Sequence, residues 1–330
     1  MKTLKKILSV VLALTLCATT LSLLSCGKDN GKDTFTVGIC QLAPHVALDA
    51  ATQGFIDALN AELGAENVTI INKNASGEIP NFKTIVSSFV SQNVDLIMAN
   101  ATPALQAAYA ATEQIPILGT SVTEYGVALG IENFSGVTGT NVSGTSDLAP
   151  LADQAQMIID LFPDAQNVGI LYCSSEANSK YQVEVVKAFL ESKGKTVKTF
   201  SFSDSNDVIP VTTQAAQESD VLYIPTDNVA ASNAETIRNT LDNNPTPVIT
   251  GEEGVCKSCG VATLTIDYYD LGYATGLMAA KILKGEAKVS EMPIEYAPNF
   301  TKKYNPTICA EFGIDTAALE AQGYVAIETN

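Results

Sequence analysis

Positive charge is scarce in this sequence. Nineteen lysines and arginines stand against 36 acids in 330 residues, a formal net charge of −17, and Arg238 is the single arginine. Such a balance excludes nucleic acid as a partner, because a phosphate backbone is held by many cations. It also disfavours adsorption to anionic lipid. Arg238 falls midway along a predicted helix and no lysine interrupts the predicted strand ends, so no clamp for a phosphate or dianion is visible.

Histidine is just as rare. His45 stands alone, which leaves no redundancy for a histidine-based metal site. None of the G-x-S-x-G, H-E-x-x-H, Walker A or G-x-G-x-x-G motifs stands where a strand turns into a helix. The expectation is no catalytic residue, no metal and no cofactor. Seven cysteines are too few for a disulfide scaffold. Cys256-Lys257-Ser258-Cys259 is a lone C-x-x-C that supplies too few ligands for structural zinc. Its Gly-flanked segment reads as a turn ahead of a strand, so a local disulfide or two idle thiols is expected there.

What is present begins at the N-terminus. Lys2, Lys5 and Lys6 precede an apolar run from Ile7 to Leu24 that stops at Ser25-Cys26. This reads as an export signal over residues 1–25, with Cys26 as the lipid-bearing residue and 26–33 as a polar tether. Loss of the signal removes three lysines and no acids, leaving 16 cations against 36 acids. No second stretch is long and apolar enough to span a bilayer.

The remaining chain is long enough for two domains, and it repeats one rhythm twice. Short β-rich runs alternate with helical patterns, which argues for parallel α/β layers. The first half has strands over Phe35–Cys40, Val68–Asn72, Val94–Ala99 and Ile115–Gly119. The second has them over Asn167–Tyr172, Thr196–Ser201, Asp220–Ile224 and Pro247–Thr250. The fold class is therefore α/β, with two doubly wound parallel-sheet lobes. Gly-rich 126–145 looks like the first hinge. Later material, including a helix over Asp270–Leu283, returns and crosses again. The expected lobes are 34–143 plus 269–297 and 144–268 plus 298–330.

Ligands in open parallel sheets bind beyond the carboxyl ends of the strands. In the first lobe those ends carry Gln41, His45, Thr102, Thr120 and Ser121. In the second they carry Ser174, Ser175, Glu176, Asn178, Thr226, Asp227, Asn228 and Glu252, and Asp267 ends a later strand. These are neutral hydrogen-bonding groups and carboxylates. Several are equally apt as helix caps, Thr102, Ser174, Ser175 and Asp227 among them. Hydroxyls and helix N–H groups suit a carboxylate while Asp227, Asp267 or Glu176 suits an ammonium, so a zwitterionic amino acid fits, and so does a sugar. An enzyme using the carboxylates at 227 and 267 is the remaining alternative. Tyr125 and Tyr181 are candidates to stack on an aromatic ligand.

Several segments carry a resemblance. Val37-Gly38-Ile39 through Gln41, Ala101-Thr102-Pro103, Ser174-Ser175-Glu176-Ala177-Asn178 and Pro225-Thr226-Asp227-Asn228 are similar to the substrate-binding lipoproteins of the type I periplasmic-binding-protein fold, in the branch associated with tryptophan and tyrosine import. That resemblance covers most of the chain after the signal and departs from the pattern at Pro44 and at Cys256–Gly260. It implies two lobes joined by three crossovers around a small ligand, and delivery to an ABC permease driven by a separate ATPase. It also implies that Ser175, Asn178 and Asp227 face the cleft. The chain is expected to act as a monomer held to the outer membrane face by lipid on Cys26. A sugar or nucleoside receptor on the same fold is the alternative ligand reading.

Overall fold

The computed structural model describes residues 34–328, so the export signal, Cys26 and the tether lie outside the described residues. Two sheets organise the rest. The first contains β1 (Phe35–Gln41), β2 (Val68–Asn74), β3 (Leu96–Asn100), β4 (Ile117–Val122) and β5 (Val142–Ser146). The second contains β6 (Asn167–Cys173), β7 (Thr196–Phe202), β8 (Val221–Ile224), β9 (Val248–Thr250) and β10 (Ala262–Thr265). The short β11 (Glu295–Tyr296) joins the first sheet, and β12 (Thr301–Tyr304) and β13 (Val325–Ala326) join the second. The orders are β11-β5-β4-β3-β1-β2 and β13-β12-β10-β9-β8-β6-β7. Every pairing is parallel except β10 with β12.

Each sheet reverses its winding between its first and third strands, β1 and β3 in one and β6 and β8 in the other. Those are the switch points beyond which α/β sheets open a ligand crevice. Strands buried on both faces read as continuous apolar runs. In β1 and β3 the alternation divides Val37, Ile39, Leu96 and Met98 from Cys40, Ile97 and Ala99, and each set joins a different core cluster.

The chain passes between the sheets three times, at 147–150, at 266–267 and at 297–300. The Gly-rich stretch 126–145 is not the first crossing. It contains a short helix (Tyr125–Leu129) and β5, and β5 pairs with β4 in the first sheet. The chain therefore stays with that sheet through Ser146, and Asp147 opens the crossing.

One seam stiffens the first lobe. An opening helix (Val46–Leu63) packs along a return helix (Tyr268–Leu283) that follows the second crossing. Small residues let their backbones approach: a Cβ on Gly54 would stand 2.1 Å from the Tyr269 carbonyl oxygen, and one on Gly272 would stand 1.9 Å from that of Ala51. Under this seam a chain of hydroxyls runs from Thr120 through Thr145 to Thr275, with Oγ separations of 3.2 and 2.8 Å. It ties β4, β5 and the return helix together.

Gly272→Ala forces those helices apart, since the obstacle is backbone and cannot swing away. The expected cost is about 1–3 kcal/mol, read as a lower denaturation midpoint with an unchanged m-value.

Candidate functional site

Between the two sheets, at the carboxyl ends of their strands, lies a small cavity. Three walls enclose it.

The first wall is the start of the opening helix with the end of β4: His45, Ala47, Leu48 and Ser121. His45 occupies the N-cap position in extended conformation, and its side chain makes no capping bond. The first helical hydrogen bond runs from the Asp49 N–H to the His45 carbonyl, so the amides ahead of Asp49 have no partner within the helix. Burial lowers the His45 pKa, while the Asn228 amide across the cleft and Asp49 act the other way. The imidazole is thus neutral, and its Nε2 is buried without a partner. Ser121 is 5% exposed and takes a left-handed φ of 54° where the β4–β5 register shifts between Gly119 and Val122. Bulges of this kind re-aim a side chain, and non-glycine residues in that region are costly and cluster at functional sites. The Ser121 hydroxyl is also buried without a partner.

The second wall belongs to the crossings. Asp147, 4% exposed, opens the first, and Tyr268 follows the second. The Tyr268 hydroxyl donates to Asp147 Oδ2 at 3.1 Å, and Oδ1 has no partner. Burial pushes the Asp147 pKa up to about 6, with the Thr123 and Tyr268 hydroxyls pulling it down.

The third wall comes from the second sheet: Thr226, Asp227, Asn228, Ala231 and Glu252. Its two carboxylates are occupied. Asp227 accepts from the Cys173 N–H at 2.6 Å, the Ser179 hydroxyl at 2.7 Å and the Ala230 N–H at 2.8 Å. Glu252 accepts from the Gly254 and Val255 N–H groups at 2.6 and 2.5 Å, capping the helix Glu253–Cys259. Behind this wall Glu176 accepts from the Asn178 side chain, from the side chain and N–H of Asn228, and from the Val229 N–H. Burial raises the pKa of both Glu176 and Asp227, and the Asp227 charge raises that of Glu176 further.

Of the residues proposed from sequence, His45, Ser121, Thr226, Asp227, Asn228 and Glu252 meet at this cavity. The others do not line it. Gln41 ties β1 to the opening helix through Asp49 and Thr52, and Thr120 belongs to the hydroxyl chain. Thr102 is buried at the start of its own helix. Ser174 and Ser175 donate to the carbonyls of Phe202 and Ser203. Asn178 and Glu176 brace the helix after β8, and Asp267 caps the return helix from an exposed position. Neither tyrosine proposed for stacking lines the cavity: Tyr125 is 1% exposed, with its hydroxyl on the Thr145 carbonyl, and Tyr181 lies outside it. Asp147 and Tyr268 were not anticipated.

The C-x-x-C also differs from expectation. It lies in the helix Glu253–Cys259 rather than in a turn, because Glu252 caps both leading amides. All five described cysteines are free and buried. Burial pushes the Cys259 thiol up to about 12 and Cys256 well above its ordinary value, which makes both poor nucleophiles. Among the described residues no group of three or more His, Cys, Asp or Glu side chains could hold a metal ion.

Two similar α/β lobes with matched winding and a small polar cleft between them define a type I periplasmic binding protein. The chain belongs to the ABC transporter substrate binding protein family, whose model matches residues 36–319. It is 35% identical over 304 residues to a tyrosine-binding protein of Clostridioides difficile, with 88% of this chain and 87% of the relative covered. A Streptococcus pneumonia domain solved in complex with L-Trp superposes with a TM-score of 0.84 at 31% identity, over 89% of this chain and all of that one. A ligand-free, open substrate-binding protein with adhesive properties from Clostridium difficile is 36% identical and covers 90% of this chain and all of its own, yet gives 0.69. Whole-chain superposition is thus closer on the L-Trp complex than on the ligand-free, open structure. No described helix is long and apolar enough to cross a membrane.

The two cleft aspartates are expected to answer mutation with opposite signs. Asp147 has a folded pKa above its ordinary value of 3.8, so its ionisation weakens the fold as pH rises from 3.8 towards about 6. Asp147→Asn removes a penalty of up to about 3 kcal/mol and raises the melting temperature of ligand-free protein at pH 7.5. Asp227→Ala strands two buried N–H donors and a hydroxyl, and costs about 2–4 kcal/mol. Paired thermal melts check both, and a fall in stability for Asp147→Asn overturns the assignment.

Proposed function

We propose that this protein captures an aromatic amino acid between its lobes and presents it, in the closed form, to an ABC permease with its ATPase. The observation that carries the reading is the convergence of three buried, unpartnered polar atoms on one cavity: His45 Nε2, Ser121 Oγ and Asp147 Oδ1. Buried polar atoms are rarely left unpaired, so these mark where a ligand supplies the missing partners.

Their chemistry is complementary to a zwitterion. Free amides at the start of the opening helix, with the positive end of its dipole, receive a carboxylate, flanked by Ser121 Oγ and His45 Nε2. Asp147 Oδ1 receives the ammonium. The ligand side chain then points at the polar third wall, and closure brings Asn228 against His45. The related tyrosine-binding protein and the relative with L-Trp bound support an aromatic side chain. The sequence reading of an export signal with lipid on Cys26 supports an extracytoplasmic, membrane-tethered monomer that hinges at its three crossings. Ligand contacting both lobes favours the closed form by its differential affinity for that form.

Calorimetric titration of the protein with amino acids, sugars and nucleosides tests this. Saturable binding of tyrosine or tryptophan is expected, weakened about 10–100-fold by Ser121→Ala or Asp147→Asn. Binding should also weaken as pH falls below about 6, where Asp147 takes up its proton. An isotherm with a sugar and none with any amino acid sinks the proposal.

A further inference from the structure

We infer that the ammonium, rather than the carboxylate, is the anchoring group of the ligand, so that the cleft also takes primary aromatic amines that have no carboxylate. The inference rests on the zwitterion reading above and deepens it.

Charge in the cleft is one-sided. Asp147, Asp227 and Glu252 line it and Glu176 stands directly behind, each at most 4% exposed, while no lysine or arginine lines it. Two of the lining carboxylates are saturated by backbone N–H groups, but Asp147 keeps Oδ1 buried and unpartnered. An arriving ammonium supplies the cation that this enclosure lacks and bonds to an ionised acceptor, the stronger kind of hydrogen bond. A carboxylate meets only neutral donors: helix amides, Ser121 and a neutral imidazole. It also enters the field of the same buried carboxylates, where charges are weakly screened. Deleting the carboxylate leaves amides that water can satisfy. Deleting the amine leaves Asp147 Oδ1 unpartnered and adds an anion.

Tyrosine, tyramine and 3-(4-hydroxyphenyl)propionate, with the matching tryptophan, tryptamine and indole-3-propionate, separate the two ends. Titration at pH 7.5 is expected to give amines within about 100-fold of the parent amino acid, and no saturable heat with the deaminated acids. Asp147→Asn, shown folded by its melt, should abolish amine binding. Amino acids that bind while amines do not, or acids that bind as well as amines, overturn the inference and leave the proposed function standing. Amines that bind while no amino acid does support the inference and overturn that function, and binding of neither overturns both.

Discussion

The hydrogen bond between Tyr268 and Asp147 joins the first crossing of the chain to the second. Everything around the cleft is arranged with respect to it. Asp147 starts the path out of the first sheet, and Tyr268 begins the helix that returns to it. That helix is seated on the opening helix by contacts so close that glycine is required at Gly54 and Gly272. The opening helix in turn presents its free amides, His45 and Leu48 to the cavity. A single packed unit therefore carries the free amides, His45 and, through Tyr268, Asp147. The spacing between those amides and the Tyr268–Asp147 pair is held by backbone contact, which deforms less than side-chain contact.

The opposite wall is built on another principle. Its carboxylates act as caps: Asp227 for the helix after β8 and Glu252 for the helix after β9. Such caps order the strand ends before ligand arrives and leave few free polar atoms. The two faces divide the labour, the first lobe and the crossings holding unpartnered groups and the second lobe offering a finished polar surface. A ligand bonded first to the unpartnered side finds the other already shaped.

Much of this was legible in the sequence, because β1, β3, β6 and β8 are largely apolar runs that end in, or are followed within two residues by, polar residues that stand out. Their spacing exposed the doubled α/β order. It was the fifth strand that concealed the central carboxylate. Val142-Ser143-Gly144-Thr145-Ser146 has one apolar residue, and Gly144 adopts a φ of 143° in close approach to the Gly119 carbonyl, so nothing in its pattern announces a strand. With β5 unrecognised, Asp147 looked like part of a loop rather than a strand end. Tyr268 stood next to Asp267, which has the more obvious chemistry and does only a cap's work. Asp227 and Glu176 stand out in the sequence as strand-end carboxylates, but composition cannot reveal which acceptors are already occupied. That depends on which backbone N–H groups the fold delivers to them.

An unpartnered buried carboxylate is a poor way to stabilise a fold, since one or two kcal/mol is a large part of a domain's net stability. It is a good way to bias two conformations. Were the lobes to part, water would reach Asp147 and little would be lost. With the lobes as they stand the same group is dry, and burial raises its pKa to about 6. Closure without ligand therefore carries a penalty that closure around an ammonium does not. A ligand shifts a conformational equilibrium only by its differential affinity for the two states, and here the difference is concentrated in one oxygen atom. The unpartnered Ser121 hydroxyl and the bare Nε2 of His45 work in the same direction, each a buried polar atom that a ligand would satisfy. The closed form can thus signal occupancy because the protein alone completes it badly.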